Sequence, residues 1–121
     1  MSSRIDFDKS NEIVHVIYSG IVSLNKRMQA VQEVCDSFCK FMPLKILVDV
    51  RHLEMHLSFD EQESFGRYLA GHEGLANAKV AVLHEADHNP NWIVDTIAFS
   101  NGYLLSQFDD RKEAESWLTK T

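Results

Sequence analysis

The segment from Lys45 to Arg51 constrains the fold of this chain more than any other. It reads Lys-Ile-Leu-Val-Asp-Val-Arg, with apolar residues at successive positions instead of at every second position. A strand with this pattern is buried on both faces, which is typical of a parallel strand between layers of helices. Lys79 to Leu83 repeats the pattern. Two such strands predict a parallel sheet covered by helices, in which binding sites gather at the carboxyl ends of the strands.

The rest of the sequence predicts how this sheet is assembled. The polar residues 8–12 separate two short β-rich runs and predict an antiparallel hairpin at the start of the chain. The first helix has an apolar face from Leu24 to Met42 and is stopped by Pro43. Four helices are expected, with capping residues Ser23, Ser58, Asn89 and Asp110. The predicted strands are 5–7, 13–18, 45–50, 79–83 and 103–108.

The predicted order of elements is therefore ββαβαβαβα. Strand–helix–strand crossovers are almost always right-handed. The order thus indicates an α/β fold: a mixed, mostly parallel sheet with an antiparallel N-terminal strand, right-handed βα units and about four covering helices. Because 121 residues with 45% hydrophobic side chains supply one core, residues 1–121 are expected to form a single domain.

The composition indicates which kinds of partner and which cellular compartment are to be expected. A formal charge of −6 disfavours binding to nucleic acid, whose phosphates would repel the chain. No window approaches the roughly 20 apolar residues that a spanning helix needs, and the first residues lack a signal-peptide core. We therefore expect a cytoplasmic protein with no membrane span. Cys35 and Cys39, four residues apart on a helix, are predicted to be reduced thiols in the core.

Three features together resemble the SpoIIAA-like family of small, STAS-related bacterial domains, many of them uncharacterised. They are the element order, the strand 46–51, and the closing segments 108–110 and 113–118. The resemblance covers almost the whole chain. It implies a non-enzymatic module that binds a protein partner through the start of the helix after the central strand. It also implies a fold similar to that of CRAL-TRIO lipid-binding domains.

The same resemblance raises a phosphorylation switch at Ser58. In the sporulation anti-anti-sigma proteins that typify the fold, a partner kinase phosphorylates a serine at that helix start. Here the usual Asp-Ser is replaced by residues 49–51, Asp-Val-Arg, and the first serine afterwards is Ser58. We interpret Ser58 first as a helix cap and second as a phosphoacceptor. The neighbouring acids Asp60, Glu61 and Glu63 would repel a phosphate.

Asp49 and Arg51, at the predicted end of the central strand, are the first candidate binding pair. A carboxylate and a guanidinium two residues apart are suited to a small polar ligand. They are equally suited to each other, and a local ion pair is the preferred interpretation because such pairs are common at protein surfaces.

The histidines form the second group of candidates. Residues 84–88 read His-Glu-Ala-Asp-His, the string that binds zinc when it lies on a helix. Here it follows a strand directly, so a loop is predicted and zinc-protease chemistry is disfavoured. Alternatively, four imidazoles that follow two neighbouring strands would bind zinc or nickel together with Asp49 or Asp87. The preferred interpretation is exposed loop histidines, with no bound metal or cofactor: His52, His56, His84 and His88.

The predicted helices also contain more large apolar groups than one small core needs. The exposed remainder would form a homodimer patch or a pocket for an apolar ligand. These residues are Phe59, Phe65, Tyr68, Trp92 and Phe99. No Ser-His-Asp, Cys-His or glycine-rich phosphate-binding arrangement is apparent, so an enzyme is not expected.

The leading hypothesis is a homodimeric regulatory or protein-interaction module. Its predicted partner surface comprises residues 49–60 and 83–91. A carrier of a small apolar ligand or lipid is the first alternative, and a histidine-rich metal-binding protein is the second.

Overall fold

Residues 2–120 are described by a computed structural model, and they contain one five-stranded sheet whose strands lie in chain order. The first strand is antiparallel to the second, and all later neighbours are parallel. The strands are β1 (Ser2–Asp8), β2 (Ile13–Ile21), β3 (Leu44–Glu54), β4 (Ala78–Leu83) and β5 (Leu105–Phe108). The predicted mixed, mostly parallel sheet with an antiparallel first strand is confirmed.

Four α-helices and one short 3₁₀ turn connect and follow these strands within the described residues. The helices are α1 (Leu24–Phe38), α2 (Phe59–Gly71), α3 (Trp92–Ser100) and α4 (Arg111–Thr119), and the 3₁₀ turn is Glu73–Leu75. The predicted order ββαβαβαβα is therefore confirmed.

The helices divide unequally between the two faces of the sheet. The larger buried cluster includes Val31 of α1, Phe65 of α2 and Val94 of α3, so these three helices cover one side, the three-helix face. This is what successive crossovers of one hand produce when the strands lie in chain order. A smaller cluster contains Leu47 of β3 and Leu118 of α4, which marks the opposite side, the α4 face. Because α4 packs chiefly on β3, β4 and β5, it covers the β1 and β2 side of this face only in part.

The strand β3 is longer than the sequence indicated. The predicted end at Val50 is wrong, since β3 continues to Glu54 and leaves only Met55 to Leu57 as a connection. Between the pairs Ile17–Asp49 and Ser19–His52 the register shifts by one residue. Beyond this bulge, β3 remains paired with β2 but lies past the end of β4, so polar side chains are tolerated there.

The first helix is shorter than predicted, and its buried side is different. It ends at Phe38, so Cys39 and Met42 are exposed and only Cys35 is a core thiol; the prediction for Cys39 is wrong. The residues that α1 buries are Arg27, Ala30, Val31, Val34 and Cys35. A charged residue therefore occupies the interior of the three-helix face.

Two of the four predicted caps are confirmed. Ser23 accepts a hydrogen bond from the amide of Lys26, and Ser58 forms a complete capping box. Asn89 does not cap α3, which begins two residues later than predicted, after Asn91. Asp110 precedes α4 but makes no side-chain capping bond.

Candidate functional site

The loops after β3 and β4 leave the sheet at the same edge. The two strands are parallel neighbours, with Asp49 opposite Leu83. We call residues 54–60 and 84–92 the carboxyl rim; they include the starts of α2 and α3. Of the predicted partner surface, residues 54–60 and 84–91 belong to this rim, whereas residues 49–53 lie within β3 and Leu83 ends β4.

At the rim, Ser58 fixes the start of α2. Its hydroxyl accepts from the amide of Glu61 at 3.1 Å, and the Glu61 carboxylate accepts from the Ser58 amide at 2.9 Å. Two amides that a helix start leaves without partners are satisfied in this way. The capping interpretation of Ser58 is confirmed, and the residue is solvent-exposed.

The first residues of the two helices at the rim are exposed aromatics. Phe59 begins α2 and Trp92 begins α3, and each has 59% of its surface accessible. The helices pack against each other: a Cβ built on Gly66 of α2 would lie 2.8 Å from Ile97 of α3. Both aromatics are therefore carried by one rigid pair of helices.

The histidine string of residues 84–88 lies in a tight turn, as predicted, and not on a helix. The amide of His88 donates to the carbonyl of Glu85 at 3.2 Å, and Nδ1 of His84 donates to the same carbonyl at 2.6 Å. This geometry does not place two imidazoles on one helical face, so the zinc-protease arrangement is absent from the turn.

The four candidate histidines do not converge. His52 lies on β3 and not in a loop, whereas His56 is in the short connection to α2. Within residues 2–120, no three or more His, Cys, Asp or Glu side chains are placed to hold a metal ion. The arrangement of the described residues therefore gives the metal hypothesis no support.

Asp49 and Arg51 form the predicted local ion pair, but within β3 and not at the end of the strand as predicted. Both lie on the α4 face, and Arg51 Nη2 is 2.8 Å from Asp49 Oδ2. Burial alone would raise the pKa of Asp49, but hydrogen bonds from the side chain and amide of Arg51 outweigh it and hold the pKa below its usual value. The pair lines an open groove of about 530 Å³ between β1 and the start of α4. We call this the α4-face groove; its lining is Arg4, Asp6, Phe7, Asp8, Lys9, His15, Ile17, Leu47, Asp49, Arg51 and Arg111.

A buried polar network behind the rim was not predicted from the sequence. Arg27 donates from Nε to the carbonyl of Val22 at 3.1 Å and from Nη1 to Asn91 Oδ1 at 3.3 Å. Asn91 in turn donates to Asp95 Oδ1 at 2.9 Å. Asp95 Oδ2 accepts from Asn89 and from Gln107, each at 3.0 Å. Burial raises the pKa of Asp95, while these three amide donors oppose the shift.

The sequence does contain a signal for this network. Arg27 lies three residues after Leu24 and four before Val31, inside the apolar stripe of α1. A charged residue in such a stripe needs a buried partner, because an uncompensated buried charge is strongly unfavourable. The direct side-chain partner of Arg27 is Asn91, which in turn donates to Asp95 one helical turn later.

The same side of the sheet encloses a small cavity. Its volume is about 50 Å³, and its lining is mostly apolar, with Asn91 and Asp95 contributing polar groups. Pockets that hold small molecules commonly have volumes of roughly 300–1,000 Å³. In this conformation the cavity accommodates little more than water.

A Cys-His contact, not anticipated from the sequence, joins α1 to the end of α2. Cys35 Sγ lies 3.8 Å from His72 Nδ1, which also accepts from the amide of Gly74 at 3.0 Å. Burial raises the pKa of the Cys35 thiol, so the reactive thiolate is disfavoured. The contact is structural and lacks the features of an activated nucleophile.

Comparison with known proteins bears on the fold. No family model matches the chain, and neither does any curated protein. A solved structure of an uncharacterised DUF3478-family protein from Shewanella loihica PV-4, described as SpoIIAA-like in fold, superposes with a TM-score of 0.59. The match covers 97% of this chain and 92% of the other, at 16% identity. The chain has a SpoIIAA-like fold.

The fold assignment agrees with the resemblance inferred from the sequence and extends over almost all of the chain. At this level of identity it concerns architecture alone, because one fold supports many functions. None of the helices in residues 2–120 has the length and apolar character needed to cross a bilayer.

Proposed function

We propose that this chain is a non-enzymatic regulatory module that binds a protein partner at the carboxyl rim. The observation that carries the proposal is the exposure of Phe59 and Trp92 at the starts of two adjoining helices. Large aromatics are enriched among the residues that dominate protein interfaces. An exposed aromatic pair on a rigid support loses little conformational entropy on binding, which favours association.

The charges around this pair indicate the kind of partner. The exposed acids at the rim are Glu54, Asp60, Glu85 and Asp87. Lysine and arginine are absent from 54–60 and 84–92, so with neutral histidines the surface is acidic around an apolar centre. A partner with a basic border around an apolar pocket is complementary to it, and opposite charges would accelerate association.

We propose a non-enzymatic role because the candidate nucleophiles lack the chemistry that catalysis requires. Ser58 is held in a capping box with no histidine bonded to its hydroxyl, and the Cys35 thiol is buried with a raised pKa. Nucleophilic catalysis requires an activated hydroxyl or thiol next to a base. Ser58 has no base beside its hydroxyl, and the Cys35 thiol, although 3.8 Å from His72 Nδ1, is not activated because its pKa is raised.

The test compares three exposed aromatics of similar accessibility. Tagged wild-type protein is used to isolate a stoichiometric partner from native lysate, and binding of the purified partner is then measured for Phe59→Ser, Trp92→Ser and Phe99→Ser. Phe99 is 61% exposed and lies at the far end of α3, so it is the matched control. We expect a loss of about 30-fold or more for the two rim variants, as is typical of interface hot spots. Equal binding by all three variants, or no partner at all, contradicts the proposal.

The predicted homodimer stays a prediction. Leu104 is exposed next to β5, the last strand of the sheet order, and its apolar side chain would favour self-association there. Sedimentation velocity of wild type and Leu104→Ser tests it. If the wild-type protein is a monomer at all concentrations, the homodimer prediction is wrong, and the proposal of a partner site at the carboxyl rim is unaffected.

A further inference from the structure

The α4-face groove lies on the opposite side of the sheet from the large core, and its charge differs from that of the chain. Four cationic side chains line it, against three carboxylates, whereas the whole chain carries a net charge of −6. The four cations are Arg4, Lys9, Arg51 and Arg111, and the three carboxylates are Asp6, Asp8 and Asp49. Positive charge is therefore concentrated in this groove relative to the rest of the molecule.

The three carboxylates are already engaged by neighbouring groups. Asp6 pairs with Arg4 at 2.9 Å, and Asp8 accepts from the amide and the hydroxyl of Ser10. Asp49 accepts from Arg51 with both of its oxygens. The charges of Asp6 and Asp49 are thus compensated by paired arginines, whereas Asp8, bonded to the uncharged Ser10, keeps its negative charge.

The unused donors belong to Arg51 and Arg111. Arg51 uses Nε and Nη2 on Asp49, and its Nη1 makes no hydrogen bond within residues 2–120. Arg111 uses only Nε, on Glu115 at 3.0 Å, so both of its terminal nitrogens remain without a partner in the described part of the chain. Because Asp49 holds Arg51 by two bonds, that guanidinium is fixed in orientation before any ligand arrives.

His15 adds a third polar group to the floor of the groove. It is only 5% exposed, and in residues 2–120 neither of its ring nitrogens forms a hydrogen bond. Burial lowers its pKa, and the nearby positive charge of Arg111 acts in the same direction, while Glu115, Asp8 and Asp6 act against it. The ring is therefore neutral at pH 7 and offers one donor and one acceptor.

We propose that the α4-face groove binds a small oxyanion, a carboxylate or a phosphate. The guanidinium groups of Arg51 and Arg111 contact the anion, and His15 supplies a further hydrogen bond. Guanidinium groups are well suited to such anions, because their planar array of donors matches the oxygen geometry. The groove volume of about 530 Å³ is within the range of small-molecule sites. This site is separate from the carboxyl rim and does not depend on the function proposed there.

The test is an NMR titration of the full chain with inorganic phosphate and, separately, with succinate. Binding is followed by the chemical shifts of the His15 ring nitrogens and of Nε in Arg51 and Arg111. We expect saturable shifts at all three residues with at least one probe, with dissociation constants in the millimolar range for such small anions. A response to phosphate alone or to succinate alone supports the site and identifies its ligand class.

A matched pair of variants separates this site from general charge effects. Arg111 and Arg67 are both half-exposed helical arginines paired with a glutamate four residues away, but only Arg111 lines the groove. Arg111→Gln should weaken binding about tenfold, the usual effect of removing one charge-assisted hydrogen bond. Arg67→Gln should leave it unchanged. No saturable shift with either probe, or equal weakening by both variants, overturns the proposal.

Discussion

Asp49 accepts three hydrogen bonds from Arg51, two residues further along the same strand. The Arg51 amide, Nε and Nη2 lie 3.1, 3.0 and 2.8 Å from the carboxylate oxygens. The side chain of Asp49 is buried on the α4 face, whereas that of Arg51 is about one-third exposed. The pair therefore satisfies a buried charge and at the same time fixes a guanidinium at the border of the groove.

The first prediction concerns the stability that this pair contributes. Arg51→Ala should lower the free energy of unfolding at pH 7 by about 1–3 kcal/mol, because it leaves the Asp49 carboxylate buried without its partner. The matched control is Arg67→Ala, which removes an exposed pair and should change stability by about 0.5 kcal/mol or less. Urea unfolding followed by tryptophan fluorescence measures both.

The pH dependence of the same variants gives a second readout. The pKa of Asp49 in the folded protein lies below that of an aspartate in an unfolded chain. The stabilisation is therefore present above the unfolded pKa and is lost as the pH falls through the folded pKa. The difference between wild type and Arg51→Ala should shrink at low pH. A difference that stays constant down to about pH 2 would show that Arg51 does not hold down the pKa of Asp49.

The element order was predictable because apolar patterning reports the buried faces directly. The runs 45–50 and 79–83 are buried on both sides, and they proved to be the parallel neighbours β3 and β4. The extension of β3 to Glu54 was not predicted, because a polar strand segment beyond the cover of helices has the composition of a loop. The groove was not predicted either. His15 and Asp49 face a side of the sheet that α4 covers only in part, and sequence pattern does not show how far a helix covers a sheet.

The buried network shows a different limit of sequence analysis. Arg27 and Asn91 are 64 residues apart in the chain and meet only when α1 and α3 pack on the same face. Local periodicity identifies the helix that carries Arg27, but it does not identify the partner. Pairings of this kind depend on the tertiary arrangement, which residue spacing alone does not give.

The second prediction tests the coupling of these two residues. Arg27→Met keeps most of the buried volume but leaves the carbonyl of Val22 and Asn91 Oδ1 without a donor. In a double-mutant cycle with Asn91→Ala we expect a coupling free energy of about 0.5–3 kcal/mol. Thr96→Ala is the control, because Thr96 lies on α3 and donates only to the carbonyl of Trp92. Its effect should add to that of Arg27→Met within about 0.5 kcal/mol.

The third prediction concerns the contact between α2 and α3. A Cβ on Gly66 would lie 2.8 Å from Ile97 Cβ and 3.0 Å from the carbonyl oxygen of Val94. Gly66→Ala should therefore destabilise the fold by about 1–3 kcal/mol, although alanine favours helix. Gly71→Ala, in the same helix with nothing within 4 Å of the new methyl, should be neutral or slightly stabilising. Thermal unfolding measures both variants. If both substitutions stabilise the protein, α2 and α3 do not approach each other as closely as described.

The fourth prediction compares the two serine caps. Ser58 takes part in two reciprocal bonds with Glu61, whereas Ser23 makes one side-chain bond, to the amide of Lys26 at 3.2 Å. Ser58→Ala should lower the free energy of unfolding by about 1 kcal/mol, and Ser23→Ala by less.

The charge at position 58 distinguishes a structural cap from a phosphorylation site. Asp is a good capping residue, so Ser58→Asp should restore most of the stability that Ser58→Ala loses. Glu61 and Asp60 lie in the same first turn, however, and their negative charges reduce the benefit of a further anion there. If Ser58→Asp and wild type bind the isolated partner equally and differ little in stability, Ser58 acts as a cap alone. A large loss of partner binding with retained stability would instead indicate that charge at this position controls the rim.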